Sequence, residues 1–540
     1  MTLSGLVLKN AMATPDRVGI VDVARSWTWG EAADRVGRLG AAFVAAGVAP
    51  GDRVGVHLNK SADGFLAMHA VVSAGAVAVP LDPGSPPERL ARICNQMQIS
   101  VVISHAPRSK SVMALHEIHQ LRAVIGLELS IPDDSGPQVF NDAAIAALDP
   151  IDPISVAAED LAYIVTTSGS TGEPKGISHT HRSARAYADM TLRTYGLAVS
   201  DRVADISPHH FDISTFSLWS TPLAGATNIV VNEAYQRLPA SHSQLLQDEA
   251  VTVWYSVPFL LQQLALRGDL VNRDLSALRW VHFGGEVVPP EIIGTMMGHA
   301  PNARFANIFG PAETNQCSVA FFDSPPDVSR SLSVGFPLDH SEIRVVDPEA
   351  DTPSNENLMP VDKVGEMWAA TPQLMEGYWG QDAVNEKVLK TVDGLRFYRT
   401  GDLISQDAAG ELTFYGRSDH QVKVRGFRIE LEGVETDLEA LVQRDGLAEN
   451  VVVAVRRRDS GEDQIVAGIL GATGDFDQSE FVRDAASAVP TYAVPTQTVL
   501  IDAPTFTGSG KLDRRVLRQQ VLAAIEEEAN TSMRIVEEMK

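Results

Sequence analysis

The strongest constraint on the fold is an alternation that runs from residue 17 to residue 320. Short apolar runs such as 54-VGVHL-58 and 251-VTVWYSV-257 alternate there with longer stretches such as 31-EAADRVGRLGAAFVAAG-47, in which apolar residues recur every three or four positions. The longer pattern is typical of an amphipathic helix, and short β-rich apolar runs are typical of buried strands. Strands that alternate with helices form parallel sheets covered by helices, so the fold class is predicted to be α/β.

The pattern changes after about residue 335, where shorter strands and turns predict a small β-subdomain. From residue 432 a helix, two strands and a second helix predict a separate α+β unit. A chain of 540 residues exceeds the size at which single cores split into domains. We therefore expect a large N-terminal domain at 1–418, with parallel-rich sheets flanked by helices plus the β-subdomain, and a small mobile α+β C-terminal domain at 419–540.

Composition limits the partners and the compartment. The formal charge of -25 argues against nucleic-acid or anionic-membrane binding by bulk charge. Cys94 and Cys317 are the two cysteines and have no metal-ligand spacing, so neither a disulfide framework nor a zinc site is predicted. Without a signal-peptide pattern or an apolar run long enough to span a membrane, we expect a cytoplasmic protein.

The segment 166-TTSGSTGEPKGISH-179 follows an apolar, strand-like run. Its glycines and hydroxyls allow backbone N–H and side-chain O–H groups to converge on phosphate oxygens. The segment does not match a P-loop, because Lys175 is followed by Gly176 where a P-loop has serine or threonine. Taken alone, the segment is as consistent with a solvated turn as with a phosphate-binding loop.

Nine motifs, in order along the chain, resemble those of a known superfamily, and this resemblance favours the phosphate-binding loop over the solvated turn. Together they resemble the adenylate-forming superfamily, which includes acyl-CoA synthetases, luciferases and the adenylation domains of nonribosomal peptide synthetases; the closest likeness is to stand-alone amino-acid-activating enzymes. The motifs are 74-AGAVAVPLDP-83, 163-YIVTTSGSTGEPKG-176, 211-FDIS-214, 307-NIFGPAET-314, 365-GEMW-368, 398-YRTGDL-403, 416-GRSDHQVKVRGFRIEL-431, 490-PTYAVP-495 and 508-GSGKLDR-514.

The resemblance implies a two-step reaction with ATP and Mg²⁺. A carboxylate attacks the α-phosphorus of ATP and releases pyrophosphate, and a phosphopantetheine thiol then displaces AMP to form a thioester. Such chemistry depends on positioning and on charge stabilisation of the anions involved. No carrier domain follows residue 514, so we expect a free-standing enzyme whose acceptor is a separate phosphopantetheinylated carrier protein.

The resemblance also assigns roles to residues on the nucleotide side. Lys511 matches the catalytic lysine that bridges the carboxylate and the ATP oxygens, and Lys423 is a hypothesised residue of the thioester-forming step. Glu313 resembles the magnesium ligand, with Thr167 helping to bind the metal and phosphates. Asp419 resembles the hinge. The implied ATP-binding residues are Thr167, Ser168, Gly169, Ser170, Thr171, Gly172, Lys175, Asn307, Ile308, Phe309, Gly310, Pro311, Ala312, Asp402, Tyr415, Arg417 and Lys511.

Asp212 carries the information about the substrate, because related amino-acid activators use an aspartate there to pair the substrate ammonium. A buried acid needs a cation. The alternative is that Asp212 caps a helix beginning at Ser214. The substrate positions carried over from the resemblance are Asp212, Ile213, Phe216, Phe259, Val281, Phe283, Gly284, Ile308, Gln316 and Cys317.

Three phenylalanines with Ile and Val predict a crowded apolar space, so we expect a small or medium apolar amino acid. Both α- and β-amino acids remain open, the β type being used for macrolactam polyketides. An acyl-CoA synthetase is one alternative function, which Asp212 disfavours because a fatty acid would leave its carboxylate unpaired. A catalytically silent nucleotide-binding relative is the other. Carrier docking is expected at Arg456, Arg457 and Arg458, or at Arg514 and Arg515.

Overall fold

The computed structural model divides the chain into two compact units. The first comprises Met1–Pro83, Cys94–Thr166 and Gly176–Ser418, and the second comprises Gly84–Ile93, Thr167–Lys175 and Asp419–Lys540. The structure describes residues 2–23, 25–128, 136–167, 173–330, 332–419, 421–444, 446–457, 463–473, 476–501, 505 and 512–538, without side chains at 444, 457 and 528–538.

The strands before the second unit's main segment are named in chain order. They are β1 (Val18–Val21), β2 (Ser26–Thr28), β3 (Arg53–His57), β4 (Val77–Pro80), β5 (Val101–His105), β6 (Ala123–Leu127), β7 (Gln138–Asn141), β8 (Leu161–Thr167), β9 (Lys175–Thr180), β10 (Arg202–Asp205), β11 (Thr227–Val230), β12 (Val253–Ser256), β13 (Trp280–Gly284), β14 (Arg304–Phe309), β15 (Ser318–Phe322), β16 (Phe336–Pro337), β17 (Glu342–Val346), β18 (Gly365–Ala370), β19 (Gly377–Tyr378), β20 (Leu389–Val392), β21 (Leu395–Gln406) and β22 (Leu412–Arg417).

The α-helices of the same part of the chain cover these strands. They are α1 (Leu6–Ala13), α2 (Trp29–Ala45), α3 (Ala62–Ser73), α4 (Pro87–Met97), α5 (Ser109–His119), α6 (Asp142–Ala146), α7 (His181–Tyr195), α8 (Thr221–Ala224), α9 (Glu233–Arg237), α10 (Pro239–Asp248), α11 (Pro258–Arg267), α12 (Pro290–His299) and α13 (Asp382–Val388). Short 3₁₀ turns and one π-helical segment, Phe216–Ser220, complete the helical elements described.

Two large sheets form the framework of the first unit. One has the strand order β16-β15-β14-β13-β12-β10-β11-β1-β2, and its central pairs from β1 to β14 are parallel. The other has the order β19-β9-β8-β4-β3-β5-β6-β7. A third sheet, β17-β18-β21-β20 with β22 on β21, is antiparallel. The predicted α/β fold with parallel-rich sheets and an added β-subdomain is confirmed.

Helix α2 shows how the sequence fixes a helix start. Thr28 accepts a hydrogen bond from the Glu31 backbone N–H at 3.2 Å, and the Glu31 carboxylate accepts one from the Thr28 N–H at 2.8 Å. This reciprocal capping box satisfies two donors that a helix end leaves open. The apolar face predicted from the three-and-four spacing, including Val36, Leu39 and Phe43, is buried in the core.

The second unit has its own core and its own sheets. Its strands are β23 (Gln421–Val424), β24 (Phe427–Glu430), β25 (Asn450–Arg457), β26 (Asp463–Leu470) and β27 (Thr498–Ile501), with helices α14 (Leu431–Arg444), α15 (Gln478–Ala488) and α16 (Arg514–Glu538). Strands β23 and β24 form a hairpin, whereas β25, β26 and β27 form a mixed sheet.

Two short segments before residue 419 belong to this second unit, although the predicted N-terminal domain at 1–418 included them. The ion pairs explain the grouping: the Arg92 guanidinium lies 2.7 Å from the Asp437 carboxylate, and the Lys175 ammonium lies 3.7 Å from that of Glu430. The division into compact units also falls between Ser418 and Asp419; the two predicted domains and the mobility of the second one stay predictions.

Candidate active site

The segment from Phe309 to Cys317 is a tight backbone turn between β14 and β15. The Cys317 N–H donates to the Phe309 carbonyl at 2.8 Å, and the Thr314 N–H donates to the Pro311 carbonyl at 3.0 Å. A Cβ atom added at Gly310 would lie 2.7 Å from the Asn315 carbonyl oxygen and 2.9 Å from the Cys317 nitrogen. Only glycine fits this close approach, so the turn depends on the sequence of this motif.

Glu313, the predicted magnesium ligand, is fully buried in this turn. Its carboxylate accepts a hydrogen bond from the Tyr378 hydroxyl at 2.6 Å, and the Tyr378 and Tyr398 hydroxyls lie 3.0 Å apart. The Glu313 carbonyl also accepts from the Met375 N–H at 2.7 Å. Tyr378 therefore orients the acid and Tyr398 contacts Tyr378. The sequence singled out neither tyrosine for this role, and Tyr378 lies outside the nine motifs.

Asp402 and Arg417, two of the predicted ATP-binding residues, face each other across the β21–β22 pair. One guanidinium nitrogen of Arg417 donates to the Asp402 carboxylate at 2.6 Å, and the other donates to the Thr400 carbonyl at 3.0 Å. Both side chains are largely buried, which makes this a charge-assisted pair of fixed geometry. Tyr415 lies on β22 with 57% of its surface exposed.

Asn307 and Phe309, two of the predicted ATP-binding residues, lie at the end of β14. The Asn307 amide donates to the Ser333 carbonyl at 2.9 Å, and the Phe309 ring packs 5.4 Å from the ring of Phe414. Pro311 and Ala312 continue the same turn, and the Ala312 carbonyl contacts the ring of His179 at 3.2 Å. The structure thus brings the predicted residues 307–313 together, whereas their contacts with a nucleotide stay a prediction.

Asp212 lies just before the π-helical segment Phe216–Ser220. Its carboxylate accepts a hydrogen bond from the Ile213 N–H at 2.9 Å, and its carbonyl accepts one from the Thr215 hydroxyl at 2.5 Å. Thr215 precedes the π-helical segment and makes no side-chain cap. The helical segment described begins at Phe216 with Thr215 at its N-cap position, so Asp212 is not the N-cap residue of this segment. Single π-helical turns are frequent at functional sites.

A group of rings, the aromatic cluster, surrounds His282 on one face of the nine-stranded sheet. The ring centroids of Tyr195, Trp280, Phe216 and Tyr255 lie 4.2, 5.3, 5.5 and 5.7 Å from that of His282. The register of the parallel strands explains it, because Tyr255 on β12 pairs with His282 on β13, and His282 pairs with Ala306 on β14. Paired residues of neighbouring strands share a face.

Val281 and Phe283, two of the predicted substrate residues, point to the opposite face of the same sheet. They belong to the core that contains Trp254 and Phe305, whereas Phe216 and Ile308 belong to the core around Tyr195 and Tyr255. Successive residues of a strand face opposite sides, so β13 directs His282 and Gly284 toward the Ile308 face. The structure therefore separates Val281 and Phe283 from Phe216 and Ile308 of the predicted set, and it places Tyr255 and His282 on the Ile308 face.

Phe259, a further predicted substrate residue, lies at the start of α11 rather than on the strand that carries Tyr255. Cys317 is fully buried, its sulfur lies 2.9 Å from the Thr314 hydroxyl, and burial raises its thiol pKa to about 12. Ile213 packs against the core that contains Phe216. Of these three predicted residues, Ile213 is the one that the structure places against the core around Tyr255.

Gln316 ties two tyrosines of α7 to this region. The Tyr195 hydroxyl donates to the Gln316 amide oxygen at 2.9 Å, and the amide nitrogen donates to the Tyr187 hydroxyl at 3.1 Å. The Gln316 carbonyl accepts from the Gln373 amide at 2.6 Å. Burial raises the pKa of Tyr187, and the negative charge of Asp212 acts on it in the same direction. The network therefore lies close to the Asp212 carboxylate.

A buried ion pair supports the segment that carries Asp212. The Lys60 ammonium donates to the Asp205 carboxylate, which also accepts from the Ser217 hydroxyl. Burial lowers the pKa of Lys60, while the Asp205 charge opposes that shift. The Ser217 hydroxyl also lies 3.0 Å from the Ser214 carbonyl, so the pair connects strand β10 to the residues that follow Asp212.

Several predicted residues lie outside the described residues: Ser168, Gly169, Ser170, Thr171, Gly172, Arg458 and the catalytic Lys511. Thr167, Lys175, Asp419 and Lys423 belong to the second unit, where Lys423 lies on β23 opposite Arg428. Arg514, a predicted carrier contact, pairs with the Glu435 carboxylate at 2.6 Å instead of standing open at the surface. Arg515 is exposed.

The described residues hold no group of three or more His, Cys, Asp or Glu side chains that could bind a metal unaided. None of the helices described combines the length and the apolar character that crossing a bilayer requires.

Comparison with known proteins decides the family. The profile of the family described as "AMP-binding enzyme" matches residues 7–379. The chain belongs to the AMP-binding enzyme family. This AMP-binding enzyme is 30% identical over 511 residues to the L-proline--[L-prolyl-carrier protein] ligase of Pseudomonas fluorescens, covering 94% of this chain and 97% of the relative. The predicted membership of the adenylate-forming superfamily, and with it the assignment as an adenylate-forming ligase, is confirmed.

Other relatives are much longer. The AMP-binding enzyme is 31% identical over 510 residues to a linear gramicidin synthase polypeptide of Brevibacillus parabrevis, a match that covers 93% of this chain but only 6% of the relative. Among solved structures, the Vibrio cholerae adenylation domain AlmE in complex with glycyl-adenosine-5'-phosphate aligns with a TM-score of 0.80 at 22% identity, covering 95% of this chain and 96% of that one. The latter similarity shows the fold alone.

Proposed function

We propose that this protein uses ATP to activate an amino acid as an aminoacyl adenylate and then transfers it to the phosphopantetheine thiol of a separate carrier protein. The observation that carries the proposal is Asp212, a carboxylate beside Tyr187 and Tyr255 in the same unit as Glu313 and Asp402. An acid in such surroundings is stabilised by a cation, which the ammonium group of an amino acid supplies.

The nucleotide would be held by the residues around the 307–313 turn. The backbone there is fixed by its own hydrogen bonds, and Asp402 offers carboxylate oxygens that accept from ribose hydroxyls. Such fixed groups bind without reorganising, which favours the charge that develops in adenylate formation. Lys511 is proposed to bridge the two anions, and Lys423 to act in thioester formation.

The residues fit a magnesium ion bound mainly through phosphate oxygens. Glu313 is a buried carboxylate whose described partner is a hydroxyl donor, and the described residues provide no cage of protein ligands that would replace the ion's water shell. Glu313, with Thr167, is proposed to hold Mg²⁺, which would neutralise phosphate charge.

The substrate is proposed to be a small or medium β- or α-amino acid used in natural-product biosynthesis, with β-amino acids for macrolactam polyketides as one such use. The comparisons support a carrier-linked role, because one relative is named as a prolyl-carrier protein ligase and one solved neighbour as a fused adenylation-PCP di-domain. The predicted apolar side chain rested on Val281 and Phe283, which face away from Phe216.

The test is ATP–pyrophosphate exchange with a panel of α-amino, β-amino and fatty acids. We expect exchange with an amino acid, lost in Asp212→Ala and kept in Asp248→Ala, an exposed aspartate at the end of α10. Transfer to a phosphopantetheinylated carrier, followed by mass spectrometry, tests the second step. Exchange with fatty acids alone, unaffected by Asp212→Ala, would favour the acyl-CoA synthetase alternative. ATP binding without exchange would favour a silent relative.

A further inference from the structure

His282 is a fully buried histidine with two open ring nitrogens. Its exposed fraction is 0%, and neither Nδ1 nor Nε2 has a hydrogen-bond partner among the described residues. Burial, assisted by the nearby charge of Arg279, lowers its pKa to about 3. The ring is therefore neutral near pH 7 and offers one N–H donor and one nitrogen acceptor.

Two other buried histidines of the first unit have a protein hydrogen-bond partner. A ring nitrogen of His69 lies 2.9 Å from the Leu218 carbonyl, and His242 accepts a hydrogen bond from the Trp254 indole at 3.2 Å. Leaving a buried polar group unpaired costs about 1–3 kcal/mol. An open histidine in a region of predicted substrate residues thus indicates that the missing partner belongs to a ligand.

The neighbours of His282 are engaged elsewhere. The Tyr195 hydroxyl donates to Gln316, and Gln316 donates to Tyr187. A hydrogen bond with Gln316 also influences Tyr255. The hydroxyl of Tyr195 and the amides and hydroxyls around Gln316 therefore bond to one another and not to the imidazole.

Resting on the proposed function, we infer that the activated amino acid carries a hydroxyl group on its side chain and that His282 binds this hydroxyl. A hydroxyl donates and accepts, as a neutral imidazole does. The rings of Tyr195, Phe216, Tyr255 and Trp280 around His282 are uncharged, so a charged side chain would lose its hydration without a counter-ion. His282 is a specificity-determining residue in this arrangement.

The experiment compares matched substrates that differ by the hydroxyl. Pyrophosphate exchange is measured with serine against 2-aminobutanoate, threonine against valine, tyrosine against phenylalanine, 4-hydroxyphenylglycine against phenylglycine, and 3-amino-4-hydroxybutanoate against 3-aminobutanoate. In the best-used pair we expect kcat/KM to favour the hydroxylated member by about tenfold or more, as expected when a site built for a hydroxyl is left unpaired. His282→Leu should abolish this ratio, and His282→Gln should keep part of it.

His242→Leu is the matched control, because it removes a buried histidine that already has a protein partner; it should leave the ratio unchanged. Equal use of both members, preference for the apolar member, or a ratio that survives His282→Leu would overturn the inference while amino-acid activation stands. Absence of exchange with every amino acid would instead overturn the proposed function. If His282→Leu does not fold, the test uses the kcat/KM ratio of the hydroxylated to the matched substrate in the wild type and in His282→Gln. A ratio near one in the wild type, or one unchanged in His282→Gln, would then overturn the inference.

Discussion

The 307–313 turn with Asp402, from the predicted nucleotide side, and the aromatic cluster lie in one unit but satisfy their polar groups differently. On the nucleotide side Glu313 is bonded to Tyr378, and Asp402 to Arg417, each at 2.6 Å. In the aromatic cluster the His282 nitrogens have no such partner among the described residues. The first region holds its charges in place before a ligand binds, whereas the second offers groups that a particular side chain can complete.

The largest expected effect concerns Lys511, which is proposed to bridge the two anions of the reaction. Lys511→Ala should reduce adenylate formation by at least about 10³-fold, because removing one fixed charge-stabilising group commonly costs 10²–10³-fold or more. ATP binding, measured by calorimetry, should persist. Lys363→Ala, at an exposed lysine, is the control and should remain fully active. Full exchange activity of Lys511→Ala would contradict its catalytic role.

The next largest effect concerns the buried Lys60–Asp205 ion pair, which connects β10 to the residues that follow Asp212. Lys60→Met leaves the buried Asp205 carboxylate without its cation, so the free energy of unfolding should fall by about 3–5 kcal/mol in urea denaturation. Arg182→Met removes a partner of Glu159 in a pair whose side chains are both about two-thirds exposed. That control should change stability by no more than about 1 kcal/mol. Equal losses of unfolding free energy in Lys60→Met and Arg182→Met would show that the buried ion pair is no more important for stability than the exposed one.

A mutation on the nucleotide side should affect ATP and leave the amino acid alone. Asp402→Asn removes the charge that pairs with Arg417, and a hydrogen bond to a charged group is worth about 1.5–3 kcal/mol. We expect KM for ATP to rise about tenfold to hundredfold at saturating amino acid, with KM for the amino acid unchanged. A rise in both constants would mean that the two regions are coupled.

The reciprocal mutation addresses the amino-acid side. Gln316→Leu leaves the hydroxyls of Tyr187 and Tyr195 without their described partner, at a cost of about 1–3 kcal/mol. KM for the amino acid should rise about tenfold, and KM for ATP should stay as in the wild type. If Gln316→Leu raises KM for ATP as much as KM for the amino acid, the two regions do not act separately on the two substrates.

The smallest effect expected for a single side chain is a change in how the free energy of unfolding depends on pH. Each of the two regions contains one buried histidine that contributes to it. Burial lowers the pKa of His179, beside Ala312, to about 4 and that of His282 to about 3. Below pH 6.5 these histidines bind protons in the unfolded chain but stay neutral in the folded chain. The free energy of unfolding therefore decreases as the pH is lowered. The slope is at most about 1.4 kcal/mol per pH unit for each histidine, down to its folded pKa.

Urea denaturation between pH 6.5 and pH 5 measures this slope. His179→Leu and His282→Leu should each reduce it by a similar amount, although only His179 has a described hydrogen-bond partner. Above pH 7.5 both rings are neutral in the folded and the unfolded chain, so neither should make the free energy of unfolding depend on pH. A slope unchanged in both variants would show that these histidines are not held neutral by the fold.

The fold and the nucleotide-side cluster were largely accessible from sequence. The alternation of strands and helices predicted α/β sheets, and 307-NIFGPAET-314 brings Asn307, Phe309 and Glu313 together because the segment is one short turn. Local motifs of this kind carry their own geometry. Tyr378 lies far along the chain from Glu313, so its hydrogen bond was not predictable from the motif.

The aromatic cluster was harder to predict for a specific reason. In a strand such as 280-WVHFG-284 both faces are buried, so the burial of its residues does not reveal which of them share a face with Phe216 and Ile308. A shift of one residue exchanges every side chain between the two faces, and the predicted set took Val281 and Phe283 where the structure directs His282. Nor did the sequence show that Arg514 pairs with Glu435.

The sequence by itself determined the fold class, the family and the residue types of the nucleotide-side turn, because these depend on periodicity and on contiguous motifs. Only the tertiary structure decided which face of β13 meets Phe216, which tyrosines hold Glu313 and Gln316, and that His282 lies buried with open nitrogens. Strand register and the packing of distant segments set these contacts, and neither is encoded in the spacing of nearby residues.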